Sequence, residues 1–200
     1  MYCISDTIIF EPQYNDPLDI NLISQYKKII FSDWELSNGI CEADENNIFN
    51  NFNFNYSKFN QEVNMLPQLL THLTFGDHFN QEVANLPQQL THLTFGYCFN
   101  QEVTKLPPLL THLTFEKWFN QEVNMLPHQL THLTFGNCFN KEVTKLPQLL
   151  THLTFGHYFN KPNIYLPLGI KYLKLDCNNS HINSHINSHI NSHINSHIIA

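Results

Sequence analysis

The sequence contains no arginine, because all ten of its basic residues are lysines. Its formal net charge is −7, so it lacks the positive excess with which nucleic-acid-binding proteins contact phosphates. It also lacks the guanidinium groups that recognise guanine or phosphate through paired hydrogen bonds. We therefore do not expect nucleic acid to be a partner of this protein.

Signals for membranes and secretion are also missing. No apolar run is long enough to cross a bilayer, and the first residues lack the basic segment and apolar core of a signal peptide. The five cysteines are odd in number and contain no C-x-x-C pair, which is typical of free thiols in a reducing compartment. These features predict an intracellular, cytoplasmic protein that does not enter a membrane.

Catalytic motifs are absent as well. The sequence has no phosphate-binding loop, no G-x-S-x-G, no H-E-x-x-H and no unique grouping of serine, histidine and aspartate. We therefore predict that the protein is not an enzyme and that it has no cofactor.

What the sequence does contain is a repeat of 20 residues without insertions. The first unit reads FNQEVNMLPQLLTHLTFGDH, and the sixth has diverged most. The units begin at Phe59, Phe79, Phe99, Phe119, Phe139 and Phe159. A fixed period of this length indicates a solenoid, here over residues 59–176.

Each unit has the spacing of one short β-strand. Leu73 and Phe75 are two residues apart, so both point to one face of a strand. Pro67 favours an extended segment before it, and Gly76 allows a sharp turn after it. We predict a mainly β solenoid of 20-residue coils with one parallel strand, residues 71–75, in each coil. The return limb is expected to be extended, turn-like or a single helical turn.

The first 58 residues are predicted to hold degenerate repeats that form an N-terminal cap. Aligning Phe31 with Phe75, the last residue of the predicted strand, places Ile29 on Leu73. The same alignment places Leu22 on Leu66. Divergent ends are expected of a solenoid because a terminal repeat must cover the exposed core.

Other parts of the chain are harder to align with the 20-residue repeat. Aligning Phe10 in the same way places residues 14–18 on residues 59–63. Residues 35–58 could be a distorted unit or a loop. Residues 177–200 form a low-complexity tail in which serine, histidine, isoleucine and asparagine recur with a period of four. Such tracts are usually disordered, and metal binding by the tail is an alternative function.

The repeating segment LPxxLTHLTFGxxFNQEV resembles the FNIP repeat, a relative of the leucine-rich repeat found in social amoebae and in giant DNA viruses of amoebae. The resemblance implies a leucine-rich-repeat-like fold and, for a viral protein, a place in the host cytoplasm. Glu62 stands where the family has proline. Some members carry an F-box that docks onto a ubiquitin ligase; residues 1–58 show no such helix-rich segment, but an adaptor function remains an alternative.

Two sets of side chains are candidates for function. The histidine row would alternate outward on the strands at about 5 Å spacing, which suits a surface ladder better than a converging metal site. It consists of His72, His92, His112, His132 and His152. Adjacent protonated histidines repel each other, so the row is expected to become less stable in acid. The asparagines that follow each opening phenylalanine are expected to tie neighbouring turns together.

The second candidate is the variable edge, the two residues after each strand where the copies stop agreeing. Its principal members are Asp77, His78, Tyr97, Trp118 and Tyr158. Tyrosine and tryptophan are frequent interface anchors, but relaxed constraint in a surface turn would also produce variation. We predict a monomeric, non-enzymatic scaffold for protein–protein interaction, with an unknown and possibly host protein as its partner.

Overall fold

The computed structural model describes residues 1–32, 57–123, 125–161 and 165–176. Nine β-strands form one sheet in chain order. They are β1 (Tyr2–Ile4), β2 (Thr7–Phe10), β3 (Lys28–Phe31), β4 (His72–Thr74), β5 (His92–Phe95), β6 (His112–Phe115), β7 (His132–Phe135), β8 (His152–Phe155) and β9 (Tyr172–Leu175). Within these ranges the one helix is α1 (Ile20–Ile23). The predicted solenoid of short parallel strands is confirmed.

Equivalent residues of successive coils pair directly. From β4 to β8 each strand is parallel to the next, and every histidine, leucine and threonine pairs with its copy 20 residues later. Ile29 pairs with Leu73 in the same way, which confirms the alignment predicted for β3. Because paired residues are one repeat period apart in sequence, each side chain in the sheet packs beside the equivalent side chain of the next coil.

The N-terminal segment departs from the repeat in two ways. Strand β1 runs antiparallel to β2, which the sequence pattern did not predict. Helix α1 begins after Asp19, whose carboxylate accepts a 2.9 Å hydrogen bond from the backbone N–H of Asn21. The helical turn buries Ile23 completely and leaves Leu22 37% exposed. The alignment of Leu22 with the buried Leu66 was therefore wrong, because the helix rotates the core position by one residue.

Strands β3 and β4 are adjacent in the sheet although residues 32–71 lie between them in sequence. The carbonyl of Ser57 accepts a hydrogen bond from the backbone N–H of His78 at 3.2 Å, as that of Asp77 does from Cys98 at 2.8 Å. Ser57 therefore occupies the position equivalent to Asp77. The question of whether residues 35–58 form a coil falls, up to residue 56, outside the described residues.

Two columns of stacked phenylalanines form the centre of the core. One column ends the strands (Phe75 and its copies), and the other opens the units (Phe79 and its copies). Within a coil the two ring centroids are 3.7–3.9 Å apart with nearly parallel planes. These rings are at most 1% exposed, so each contributes roughly 1.5–3 kcal/mol by burial. Valine and leucine side chains of each coil fill the space around the columns.

The distance between neighbouring coils increases across the molecule. Ring centroids in adjacent coils are 4.1–4.2 Å apart in the histidine row. They are 5.4–5.8 Å apart in the Phe75 column and 6.0–6.1 Å apart in the Phe79 column. The stack therefore curves, with the histidine row on the concave side.

A ladder of asparagines links the coils on the return side. The side-chain oxygen of each asparagine accepts a hydrogen bond from the backbone N–H of the next at 2.8–2.9 Å. The ladder runs through Asn15, Asn60, Asn80, Asn100, Asn120, Asn140 and Asn160. Each bond contributes on the order of 1 kcal/mol. The predicted role of the asparagines is confirmed, and Asn15 shows that residues 14–18 align as proposed.

The return limb consists of turns. In each repeat the backbone N–H of the core leucine donates to the carbonyl of the preceding proline, as Leu70 does to Pro67 at 3.1 Å. The described part of the repeats has no helix between residues 57 and 176. Of the three conformations that the sequence left open, the turn-like one is observed.

The glycines after three of the strands, Gly96, Gly136 and Gly156, allow close packing of the coils rather than a left-handed backbone conformation. No described glycine has a positive φ. A Cβ on Gly96 would lie 2.3 Å from the carbonyl oxygen of Gly76, and one on Gly136 would lie 2.2 Å from that of Glu116. Glu116 itself is accommodated with its side chain exposed and its N–H donating to the carbonyl of Phe95 at 3.1 Å. The conformational reason given for this glycine was therefore wrong.

We expect Gly96→Ala to lower the free energy of unfolding by about 1–3 kcal/mol, because the added methyl group meets backbone atoms that cannot move aside. Gly169→Ala is the matched control, since its nearest neighbour would be 3.5 Å away. Urea denaturation of both variants tests the prediction. Equal destabilisation by the two substitutions would contradict it.

The phenylalanine columns should dominate stability. Phe119→Ala is expected to cost about 3–5 kcal/mol because it opens a cavity in a fully buried stack. The adjacent Trp118→Ala should cost less than about 1 kcal/mol, since this side chain is 49% exposed. Thermal and urea unfolding of the two variants give the comparison, and similar losses would show that the stack is not the main source of stability.

Candidate functional site

The histidine row lies on the concave face of the sheet. Each histidine begins its strand and points away from the core, since the leucine after it is buried. The five half-buried imidazoles stack nearly parallel, with interplanar angles of 10–11°. Their spacing is below the expected 5 Å because the face is concave. Their outer edges form one continuous polar stripe.

Every histidine in the row is held by the threonine before it. The Oγ1 to Nδ1 distance is 2.8 Å for Thr71 and His72 and 2.9 Å in the other four coils. The same hydroxyl also lies 3.0–3.2 Å from the carbonyl oxygen of the equivalent residue in the preceding coil. A hydroxyl has one proton, so only one of these two groups can accept it at a time.

We assign that proton to the carbonyl, because a carbonyl oxygen can only accept, as when the hydroxyl of Thr111 donates to the carbonyl of Thr91 at 3.1 Å. The hydroxyl oxygen of Thr111 therefore accepts a hydrogen bond from Nδ1–H of His112. The neutral imidazole then carries its proton on Nδ1, and the outward Nε2 is an acceptor. Each outward Nε2 becomes an N–H donor when its imidazole is protonated.

The surroundings of the row oppose protonation. Burial lowers the pKa of His72, His92, His112 and His132 below the usual 6.5, and it is the largest cause in each case. Neighbouring histidines lower these pKa values further. At His72, Lys28 lowers the pKa and Asp6 partly offsets this effect. Protonation of these four imidazoles is therefore disfavoured at neutral pH.

The geometry of the row does not suit a metal ion. Two imidazoles that chelate one zinc ion must aim their nitrogens at a common point about 2 Å away. Parallel rings more than 4 Å apart aim theirs side by side. Among the described residues, no three histidine, cysteine or acidic side chains are grouped so that they could hold a metal. The tail that was considered for metal binding, residues 177–200, lies outside the described residues.

The variable edge consists of the central residues of β-turns. In four coils the phenylalanine that opens the next unit donates its N–H to the carbonyl of the glycine that ends the strand, at 3.3 Å. The two residues between them are at the middle of the turn, so their side chains leave the stack. This position explains why they can differ while the core positions of the coil cannot.

Tyr97, Lys117 and Trp118 form a cluster at the middle of this edge. The ammonium of Lys117 donates to the hydroxyl of Tyr97 at 2.6 Å, and this bond is the main reason that its pKa is raised. The rings of Tyr97 and Trp118 are edge to face, 6.3 Å apart. The lysine therefore fixes one aromatic ring beside another that is half exposed.

The remaining members of the edge lie towards its two ends. Asp77 accepts a hydrogen bond from the backbone N–H of Tyr97 at 3.3 Å, and Nδ1 of His78 lies 2.9 Å from the carbonyl oxygen of Ser57. Tyr158, at the other end, is 61% exposed. The structure does not gather these residues into one pocket; they follow one another along the outside of the stack.

A group of exposed apolar side chains on the return limb did not stand out in the sequence. Its members are Met65, Leu69, Leu109, Met125, Leu149, Tyr165 and Leu168, which are 43–83% exposed. They recur irregularly because lysine, asparagine or glutamine occupies the same positions in other coils. The sequence signal for them was leucine or methionine at non-core positions of the 20-residue unit. Their separation makes this a set of isolated residues rather than a continuous patch.

The FNIP repeat family matches residues 59–98 and 99–138. A similar solved structure is that of CroV588, described as a circular leucine-rich-repeat protein, with 35% sequence identity and a TM-score of 0.59. That match covers 85% of this chain but only 27% of the other, so this chain spans a minor part of its length. No curated protein matches the chain. The chain carries FNIP repeats.

The FNIP match over residues 59–138 and the structural likeness agree in showing a fold similar to that of leucine-rich-repeat proteins. The glutamates that replace the proline of the FNIP pattern, such as Glu62 and Glu122, are exposed, which keeps their like charges in water. Within the described ranges no helix is long and apolar enough to span a membrane.

The FNIP repeats should lose stability in mild acid. Because the pKa of four imidazoles in the row is lower in the folded chain, the unfolded chain binds more protons below about pH 6.5. The free energy of unfolding should therefore fall as the pH is lowered from 6.5, until the folded imidazoles are themselves protonated.

Urea denaturation between pH 8 and pH 5 measures this dependence. The variant His92→Gln/His132→Gln should show a shallower loss than the unmodified chain. His128→Gln is the control, because His128 is exposed on the return limb outside the row. If both variants retain the full acid sensitivity, the row is not its source.

Proposed function

We propose that this protein is a monomeric interaction scaffold that binds another protein through the variable edge, with no catalytic chemistry of its own. The observation that carries the proposal is the cluster of Tyr97, Lys117 and Trp118, an ordered aromatic pair exposed on an otherwise repeated framework. Rigid, half-exposed aromatic side chains are the residues that most often anchor protein interfaces. The aromatic residues Tyr97, Trp118 and Tyr158 occur at edge positions whose residue differs from coil to coil, which supports recognition at that edge.

The position of the edge also supports binding. Its side chains leave the middle of β-turns, so a partner can contact them without disturbing the packing of the coils. The backbone beneath is held by the paired strands, so little ordering is needed on binding. Cys3, Cys98 and Cys138 are free thiols, consistent with a protein that acts inside the cell.

Capture of partner proteins from a lysate of the source cells tests the proposal. Tyr97→Ala/Trp118→Ala should lose a protein that the unmodified chain retains. Met65→Ala/Met125→Ala is the matched control, since it also removes two large exposed side chains but on the return limb. Unfolding curves confirm that both variants are folded. Equal capture by both variants would refute the variable edge as the binding surface.

A further inference from the structure

We propose that the histidine row and the lysines beyond its ends bind an extended acidic segment of the partner protein, whose carboxylates accept hydrogen bonds from the Nε2–H groups that the imidazoles gain on protonation. This inference rests on the proposed protein-binding function and adds a second surface to it. The concave face would then recognise charge, and the variable edge would recognise shape.

The first support is the geometry of the row. With each Nδ1–H donating to the preceding threonine hydroxyl, the outward Nε2 is the nitrogen that takes up a proton. A row of protonated imidazoles presents parallel N–H donors that fit oxygen acceptors, and it disfavours a basic segment. Neighbouring ring centroids are 4.1–4.2 Å apart, so the two oxygens of one carboxylate can reach two adjacent imidazoles.

The second support is the placement of charge around the row. Lys28 pairs with His72 in the sheet, so it continues the row at one end, and Lys27 precedes it. Lys171 and Lys174 flank Tyr172, which continues the row at the other end. These four lysines are two-fifths of the basic residues of a chain whose net charge is −7.

Few carboxylates oppose this positive pattern on the described part of the concave face. Asp6 acts on His72, and Asp176 forms a 3.2 Å ion pair with Lys174. The glutamates of the repeats lie instead on the return limb, for example Glu102 and Glu122 beside Met125. The charge distribution therefore matches an acidic ligand that lies across the strands.

The dimensions indicate the length of the ligand. From β3 to β9 the sheet spans roughly 29 Å at ~4.8 Å per strand, and an extended peptide advances ~3.3 Å per residue. A segment of about eight residues would therefore cover the row from Lys28 to Lys174. Alternate residues of such a segment share one face, so about four carboxylates would point at the row.

Binding should be coupled to proton uptake. Protonation of the free row is opposed by burial, by neighbouring imidazoles and, at one end, by Lys28. A bound carboxylate counteracts this repulsion and favours the imidazolium. The hydrogen bonds allow the change: Nδ1–H already donates to the threonine hydroxyl, and this hydroxyl donates to the carbonyl of the preceding coil, so the added proton goes to the outward Nε2. Tyr172 is the remaining titratable side chain against the row, stacked on His152.

Fluorescence anisotropy with a labelled peptide of eight residues, alternating glutamate and serine, tests the proposal on the full chain at low salt. We expect saturable binding that tightens by about tenfold or more between pH 7.5 and pH 5.5, since each pKa unit gained by one imidazole contributes about tenfold. A peptide with glutamine in place of glutamate should not bind. Binding that is equally tight at both pH values would overturn the proposed role of the imidazoles.

Variants locate the binding surface. His92→Gln/His112→Gln/His132→Gln should abolish the pH dependence, and the histidines of the C-terminal tail, which remain in this variant, provide an internal control. Lys28→Gln/Lys174→Gln should weaken binding, whereas Lys105→Gln/Lys145→Gln, with the same charge change on the exposed return limb, should not. Unfolding curves at pH 7.5 establish that each variant is folded.

Two results would overturn the inference. One is undiminished peptide binding by the triple histidine variant. The other is tighter binding of a single-stranded oligonucleotide with the same number of charges, which would show that the face prefers phosphate. Neither result bears on the variable edge, whose role depends on the capture experiment with the Tyr97 and Trp118 variant.

Discussion

Each coil of this protein packs on a near copy of itself, and this like-with-like contact governs the rest of the structure. The register of 20 residues brings every side chain against its own equivalent in the next coil. A residue in the stack must therefore be one that packs favourably on itself. Phenylalanine meets this condition by stacking, and asparagine meets it because one amide can accept from the next backbone N–H.

The same condition excludes charge from the stack. A charged side chain at a repeated position would face the same charge one coil away, which is unfavourable unless water screens it. The repeated glutamates are accordingly exposed. Histidine is tolerated on the concave face because it can remain neutral, and the hydroxyl of the threonine before it holds the imidazole in place. The imidazoles of the row can therefore become positively charged when acid or a partner carboxylate favours their protonation.

The candidate functional residues include those to which this packing condition does not apply. The central residues of the turns after the strands touch no equivalent core side chain, so Tyr97, Lys117 and Trp118 can form contacts that occur in no other coil. The concave face is the opposite case, since it repeats one chemistry across five coils. A partner that used both surfaces would contact one specific aromatic cluster and one extended row of imidazoles.

The sequence by itself determined the period, the strand in each coil, the outward position of the histidines and the asparagine ladder, because these depend on spacing and on a contact that is repeated. It did not determine why Gly96 must be glycine, since the clash is with the backbone of another coil. It also did not determine that Ile23 rather than Leu22 is buried, because a single helical turn outweighed the aligned pattern. The tautomer of the row, the curvature and the pairing of Tyr97 with Lys117 depend on distances between atoms far apart in sequence. Only the tertiary structure fixes such distances.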